Sequence, residues 1–144
     1  MRLALWQGQS PAADLARALD QAEAALQAAA ALGADALVLP EVWLPGYNQP
    51  DIAARALTQD SAPLQRLAAA AKARKTAIVT GYAERDGDRV YNSAICFGPD
   101  GARLANYRKV QLYGAHERAI YQPGDSYSTF QLGEETVAIL ICYD

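Results

Sequence analysis

The stretch ALVLPE at residues 36–41 decides the fold class of this chain. Its first four residues are apolar without alternation, which is typical of a β-strand that is covered on both faces. Pro40 and Glu41 then place a carboxylate where the buried strand runs into a loop. A strand of this kind needs a layer of structure on each side, so the stretch predicts an α/β architecture.

A helix is predicted immediately before this strand. Ser10 is a suitable N-cap with Pro11 in the first turn, and apolar residues then recur at spacings of three and four from Leu15 to Leu32. Gly33 is expected to end the helix as a C-cap glycine. With a short apolar strand expected at residues 2–7, the chain begins as a strand–helix–strand unit.

The rest of the chain predicts a second helix followed by several strands. The helix is expected from about residue 62 to residue 73, because its leucines share one side. Turn signals at residues 86–87 and 99–101 separate the β-rich runs that come next. The predicted strands are residues 77–82, 89–97, 102–108, 129–132 and 136–141, with a polar loop at 112–124. This order predicts antiparallel hairpins in the second part of one α/β domain.

Charge and composition exclude several classes of function. The chain has 144 residues, 20% of them charged, and a net charge of −3, whereas a nucleic-acid-binding domain usually carries a basic surface. No apolar run approaches the roughly 20 residues needed to cross a bilayer. The N-terminus is too short for a signal peptide, so we expect a cytoplasmic protein. One histidine, two cysteines and no phosphate, dinucleotide or serine-hydrolase motif give no reason to expect a metal or a cofactor.

Four residues are candidates for chemistry, although each has an ordinary explanation when taken alone. Cys142 closes an apolar run, and a cysteine in such a place is more often a buried structural residue. Cys96 receives that structural interpretation. Glu41 could cap a helix or face solvent, and Lys109 and Glu117 could be ordinary surface charges.

Five segments that follow one another along the chain change this interpretation. They are LPEVWLPGY (39–47), YNSAICFGPDG (91–101), NYRKVQLYG (106–114), HERAIYQPG (116–124) and ICYD (141–144). Together they resemble the signature blocks of the nitrilase superfamily of carbon–nitrogen hydrolases, over the whole of residues 1–144. The resemblance implies that Glu41, Lys109, Glu117 and Cys142 are the catalytic group.

The resemblance also implies a fold and an extent. Members of the family are α-β-β-α sandwiches, in which two sheets are flanked by helices, and they usually associate through their outer helices. Their domain continues well past the cysteine. We therefore expect residues 1–144 to be the N-terminal portion of one carbon–nitrogen hydrolase domain, and we expect a homo-oligomer.

Amide hydrolysis explains why these residue types are needed. The thiolate of Cys142 would attack the substrate carbonyl, and Glu41 would take the thiol proton and later activate water. Lys109 and the backbone N–H of Tyr143 would stabilise the oxyanion, where one donor is typically worth about 2.7–4 kcal/mol. Glu117 would hold the substrate amide and fix Glu41 and Lys109. The residues expected near the substrate include some of Trp43, Tyr47, Asn48 and Tyr113.

The expected function is a cofactor-free thiol amidase that releases ammonia from a small linear amide through a thioester. The block CYD resembles the amidase and ω-amidase branches, whereas nitrile-cleaving members more often carry Trp-Glu after the cysteine. A nitrilase or an N-carbamoyl amidase with the same residues is the alternative enzyme. An inactive fragment or a binding pseudo-enzyme is the alternative of another class, and a purely structural α/β domain is the third.

Two geometric expectations follow. The side-chain ends of Glu41 and Lys109 are expected to reach the region of the Cys142 sulfur, with Glu117 close behind them. An apolar surface is expected to lie open around Val137, Ile139 and Ile141, because the strands that would cover it follow later in the family domain.

Overall fold

A computed structural model describes all of residues 1–144. Seven strands and three helices make up the chain. In order they are β1 (Leu3–Leu5), α1 (Leu15–Ala31), β2 (Ala36–Val38), α2 (Ala62–Arg74), β3 (Ala77–Asp86), β4 (Arg89–Phe97), β5 (Arg103–Arg108), α3 (Gly114–Ile120), β6 (Thr129–Leu132) and β7 (Glu135–Ala138). None of the helices is both long enough and apolar enough to cross a bilayer.

The first five strands form one sheet in the order of the sequence. β1, β2 and β3 are parallel, with α1 and α2 as the crossover helices between them. β3, β4 and β5 are antiparallel, and the β3–β4 hairpin closes at the pair Asp86 and Arg89. The strand at 36–38 is therefore an inner strand of the sheet and largely buried, as its unalternating apolar sequence predicts.

The main core lies between this sheet and the two helices. α1 contributes its buried face of alanines and leucines, and α2 contributes Leu64, Leu67 and Ala71. The strands meet them with Ile78, Tyr82, Ile95 and Phe97. Because successive side chains of a strand point to opposite faces, the intervening residues of β3 and β4 lie on the other face of the sheet.

That opposite face is covered by a second, smaller sheet formed by β6 and β7. Small residues of the first sheet, Ala36 and Ala77, pack against Leu132, with Phe130 and Val137 beside them. Helices, first sheet and second sheet are thus stacked as α-β-β layers. The predicted α/β class, with the layering of the N-terminal part of an α-β-β-α sandwich, is confirmed.

The start of α1 differs from the prediction. Asp14, not Ser10, is the N-cap, and its carboxylate accepts a hydrogen bond from the backbone N–H of Arg17 at 3.0 Å. Ala12 and Ala13 have positive φ angles of 50° and 69°, so the chain cannot be helical there. The Ser10 hydroxyl accepts instead from the backbone N–H of Ala12.

The segment predicted as a polar loop at 112–124 contains a helix. α3 is only seven residues long, too short to give a detectable apolar period, and its buried residue is Glu117. The carboxylate of Glu117 accepts a hydrogen bond from the backbone N–H of Tyr113, at the start of the helix.

The last predicted strand is wrong at its end, because β7 stops at Ala138. The chain then turns back under the first sheet, where Ile141 is buried against Ala94 and Tyr107. The apolar surface expected around Val137, Ile139 and Ile141 is therefore not open as predicted; Val137 and Ile139 are half-buried, and Leu140 is the exposed apolar residue of this segment.

Candidate active site

Glu41 lies in the loop that follows β2, and a glycine of β3 allows the loop to approach the sheet closely. A Cβ at Gly81 would clash with the backbone N of Val42 and the carbonyl O of Pro40. The backbone N–H of Leu44 donates to the Gly81 carbonyl at 3.2 Å, which holds the loop against the strand. This packing fixes the position of Glu41, whose side chain remains 22% exposed.

Lys109 follows β5 and is fully buried. Its backbone N–H donates to the carbonyl of Asn92 at 2.8 Å, which continues the β4–β5 pairing by one residue. Its ammonium group lies 2.7 Å from Glu41 Oε1 and 3.0 Å from Glu117 Oε1. The loop, the end of β5 and α3 therefore meet at one lysine.

Both carboxylate oxygens of Glu117 accept hydrogen bonds. Its Oε1 accepts from the Tyr47 hydroxyl at 2.6 Å as well as from Lys109, and its Oε2 accepts from the backbone N–H of Tyr113 at 2.7 Å. The side chain is 1% exposed. This satisfaction is what a buried carboxylate requires.

Asn92, on β4, belongs to the same cluster as Glu41, Lys109 and Glu117. The sequence alone does not predict it as a site residue. Its Nδ2 donates to Glu41 Oε1 at 2.8 Å and lies 3.5 Å from Glu117 Oε1. The side chain is fully buried, and its Oδ1 has no hydrogen-bond partner. The only signal in the sequence is a pair of polar residues, Asn92 and Ser93, inside the apolar run YNSAICF, and it does not say which of the two faces the site.

Burial and hydrogen bonding act in opposite directions on the charged groups of this cluster. Burial lowers the pKa of Lys109, but the hydrogen bonds from its ammonium to Glu41 and Glu117 outweigh burial, and the pKa ends above its usual value. Burial raises the pKa of Glu117, but Tyr47, the Tyr113 N–H and Lys109 outweigh it, and that pKa ends below its usual value. Lys109 is therefore an ammonium and Glu117 a carboxylate at neutral pH.

Cys142 lies in a turn at the end of the chain, with a positive φ of 48° and an exposed side chain. It shares a cavity of about 130 Å³ with Glu41. None of the hydrogen bonds described above involves its thiol. The expected approach of Glu41 to the sulfur takes the form of this shared cavity rather than a direct bond, and Lys109 does not line the cavity. The approach of Lys109 to the sulfur stays a prediction.

Asp144 ties the Cys142 turn to the segment that follows Lys109. Its Oδ2 accepts from the Ile141 N–H at 3.0 Å and from the Tyr107 hydroxyl at 2.8 Å. Its Oδ1 accepts from the N–H groups of Val110 at 3.1 Å and Gln111 at 2.8 Å. The carboxylate therefore sets where the cysteine turn lies relative to the end of β5, a role that the sequence does not reveal.

The two cysteines have contrasting surroundings. Cys96 is buried within β4, and burial raises the pKa of its thiol to about 12, so that it stays protonated and unreactive. Cys142 is exposed beside a carboxylate. Both are free thiols.

The residues that were expected near the substrate differ in their burial and in their contacts. Trp43 is in the core, where its indole N–H donates to the Ala18 carbonyl at 3.2 Å. Tyr47 is bound to Glu117, and Asn48 is exposed.

Tyr113 is also exposed, and it packs edge-on against Tyr143 with ring centroids 5.3 Å apart. Both rings therefore stand beside the Cys142 turn. No group of three or more histidine, cysteine, aspartate or glutamate side chains is arranged to hold a metal ion.

Comparison with known proteins places this arrangement in a family. The sequence profile of the family described as carbon–nitrogen hydrolase matches residues 2–144. A "hydrolase in pqqF 5'region" of Pseudomonas protegens is 39% identical over 148 residues, which cover 100% of this chain and 51% of that protein. A nitrilase of Pyrococcus abyssi is 35% identical and covers 86% of this chain and 48% of its own length.

A solved structure gives the same result for the fold. The crystal structure of an amidase from Nesterenkonia sp. superposes with a TM-score of 0.90 and 32% identity, and the match covers 99% of this chain and 56% of that one. A variant of that amidase has been solved in complex with butyramide. The chain spans about half the length of the curated relatives it matches. Because the match extends over nearly every residue described, this chain belongs to the carbon–nitrogen hydrolase family of the nitrilase superfamily.

Proposed function

We propose that the protein containing this chain is a thiol amidase that hydrolyses the C–N bond of a small linear amide to a carboxylic acid and ammonia. The observation that carries the proposal is the convergence of one ammonium, Lys109, with two carboxylates, Glu41 and Glu117, at the end of the sheet. Glu41 also opens into the cavity that Cys142 lines. A thiol, a base and a fixed positive charge are what acyl transfer from an amide needs.

The first half of the reaction forms the thioester. The Cys142 sulfur attacks the amide carbonyl carbon while Glu41 takes the thiol proton. Negative charge then develops on the carbonyl oxygen, next to the Lys109 ammonium and the backbone N–H of Tyr143. Glu41 returns the proton to the amide nitrogen, the C–N bond breaks, and ammonia leaves. Glu117, whose oxygens already accept from Tyr47, Lys109 and the Tyr113 N–H, would hold Lys109 in place beside the developing charge.

The second half releases the acid. Glu41 takes a proton from a water molecule, whose oxygen attacks the thioester carbonyl. The oxyanion is stabilised by the same two donors. The C–S bond breaks, the proton returns to the sulfur, and the carboxylic acid leaves, which restores the starting site.

Nitrile hydrolysis is the second candidate, because the nitrilase of Pyrococcus abyssi matches most of this chain. Butyramide bound to a variant of the Nesterenkonia amidase, which matches the chain with a TM-score of 0.90, supports the amide. Both reactions would use a thioester on Cys142. They differ in substrate, so the full-length protein should be offered butyramide and butyronitrile in parallel.

The test is ammonia release from butyramide by the full-length protein and by two cysteine variants. Replacing Cys142 by Ala removes the nucleophile and should lower kcat by more than about 10³-fold. Replacing the buried Cys96 by Ser is the control and should leave activity per folded molecule unchanged. Turnover by Cys142→Ala at the rate of the unmodified protein would contradict the proposal, as would an unmodified protein that acts on neither substrate.

A further inference from the structure

We propose that Asn92 is a positioning residue of the site, a neutral donor that holds the Glu41 carboxylate in place for its exchange of protons with Cys142. This inference rests on the proposed function. Its basis is that one fully buried amide group reaches both carboxylates of the cluster, at 2.8 Å from Glu41 Oε1 and 3.5 Å from Glu117 Oε1.

The backbone of Asn92 fixes where its side chain can act. Its carbonyl accepts the N–H of Lys109 at 2.8 Å, and its partner across the β3–β4 ladder is Ala83. One residue is therefore bonded to the lysine through its main chain and to both acids through its side chain. Ala83 has a small side chain, which leaves space for the Asn92 amide to reach Glu41 and Glu117.

The orientation of the amide is set by the charges around it. With Nδ2 toward the two carboxylates, Oδ1 is left buried without a partner. Turning the amide round would place Oδ1 against the carboxylates, which offer no hydrogen to donate. The amide thus leaves its oxygen unpaired while its nitrogen reaches both acids, so the hydrogen bond to Glu41 is what offsets the cost of burying that oxygen.

A further donor serves Glu41 because its one cationic partner is shared. The titratable groups that face Glu41 are Glu117 and Lys109, the hydroxyls of Tyr47 and Tyr121, and the Cys142 thiol. Lys109 is the only cation among them, and it is bonded to both carboxylates. Asn92 supplies an uncharged donor to Glu41 Oε1 at 2.8 Å, so the orientation of that carboxylate does not depend on Lys109 alone.

Ser93 provides a matched control on the same strand. It is equally buried, and its hydroxyl donates to a buried carboxylate, Glu84, at 2.6 Å. Its side chain points to the opposite face of β4. Ser93→Ala therefore removes one hydrogen bond to a buried glutamate without touching the site.

The experiment compares Asn92→Leu and Asn92→Asp with Ser93→Ala in the full-length protein. Leucine keeps the branching at Cγ and removes the donor, whereas aspartate keeps the shape and puts a third acid in place of the donor. For Asn92→Leu we expect kcat/KM to fall roughly 10- to 100-fold. The loss should fall on kcat and leave KM within about threefold, because the donor orients Glu41 and does not touch the substrate. Asn92→Asp should lose more.

Ser93→Ala should lower the unfolding temperature and leave kcat and KM where they were. If Asn92→Leu loses stability in the same way but keeps kcat per folded molecule, Asn92 is only structural and the proposal is overturned. If Asn92→Asp does not fold, Asn92→Leu decides alone.

A second measurement separates this proposal from the proposed function. The rate at which iodoacetamide alkylates Cys142 can be followed at neutral pH without any turnover. We expect alkylation to be slower in Asn92→Leu and unchanged in Ser93→Ala, because Glu41 is then no longer held as a base beside the thiol. An unmodified protein that hydrolyses no amide would refute the function, whereas an unchanged alkylation rate in Asn92→Leu would refute the positioning role.

Discussion

Two clusters built around buried glutamates lie back to back on strands β3, β4 and β5, and they differ in how completely their acids are satisfied. Glu84, on the helix face, is fully buried and accepts five hydrogen bonds. The donors are Gln59, Ser93, Asn106 and, twice, Arg108.

On the other face, Glu41 is 22% exposed and borders a cavity, and the neighbouring Asn92 keeps an unpaired oxygen. A carboxylate whose acceptor positions are all occupied can only stabilise the fold. One that keeps an open side can still exchange a proton with a substrate.

The two clusters use neighbouring residues of the same strands. Asn92 and Ser93 on β4 point to opposite faces, and Arg108 at the end of β5 bonds to Glu84 while the next residue, Lys109, bonds to Glu41. The Glu84 and Glu41 clusters therefore differ in the groups that surround each carboxylate, and not in the strands that carry them. This difference can be tested by making the same change on each face.

The largest effect is expected from Glu41→Gln in the full-length protein. Glutamine keeps the shape of the side chain but cannot accept the thiol proton, so kcat/KM should fall roughly 10²- to 10⁴-fold. The unfolding temperature should change little, because Glu41 is partly exposed. Amide turnover and a thermal melt measure the two. If Glu41→Gln kept near-normal turnover and lost much of its stability, Glu41 would be a structural residue and the proposed difference from Glu84 would be wrong.

The same substitution on the other face, Glu84→Gln, should act on stability instead. It leaves the guanidinium of Arg108 without its buried partner, which we expect to cost about 2–3 kcal/mol of unfolding free energy. Activity per folded molecule should stay within about threefold of the unmodified protein, since no group of the site contacts Glu84. Denaturant unfolding and turnover at matched folded concentration are the measurements, and a selective loss of kcat would show that the two clusters are coupled.

The smallest effect is a pH dependence of stability that sharpens the comparison. Burial raises the pKa of Glu84, but hydrogen bonds from Arg108, Ser93, Gln59 and Asn106 outweigh it, so the pKa is lowered in the folded protein, as it is for Glu117. Both acids therefore stabilise the fold above the unfolded value of about 4.3, and this contribution is lost as the pH falls through their folded values.

The pKa of Lys109 is raised, so its contribution is present below the unfolded value of about 10.4 and is lost as the pH rises through the folded value. Denaturant unfolding from neutral pH to about pH 3 should show the difference between the unmodified protein and Glu84→Gln narrowing, because a protonated Glu84 resembles glutamine. A difference that stays constant over this range would contradict the assigned cause.

The sequence predicts the layers and the family, but it leaves open which residues meet. Family resemblance points to Glu41, Lys109, Glu117 and Cys142, and three of these are joined by ion pairs in the structure. Their catalytic roles stay a prediction. The spacing between Glu41 and Lys109, 68 residues, contains no information about contact until the sheet order is known.

Other features are missed for physical reasons. The role of Asn92 depends on the register of β4 against β3 and β5, which no local pattern specifies. α3 has two turns and one buried residue, so no period can show it. Asp144 receives four hydrogen bonds from groups of which three lie at residues 107–111, and such long-range contacts have no trace in the local sequence.

The alternation of β4 has a consequence for how this protein can change during evolution. A point substitution at residue 92 or 93 alters one cluster and leaves the other intact. An insertion or deletion of one residue within the strand would exchange the two side chains between faces, so the serine would lie on the Glu41 side and the asparagine on the helix side. Point substitutions can therefore change the Glu41 cluster and the Glu84 cluster independently. A change in the length of the β3–β4 hairpin alters both clusters together.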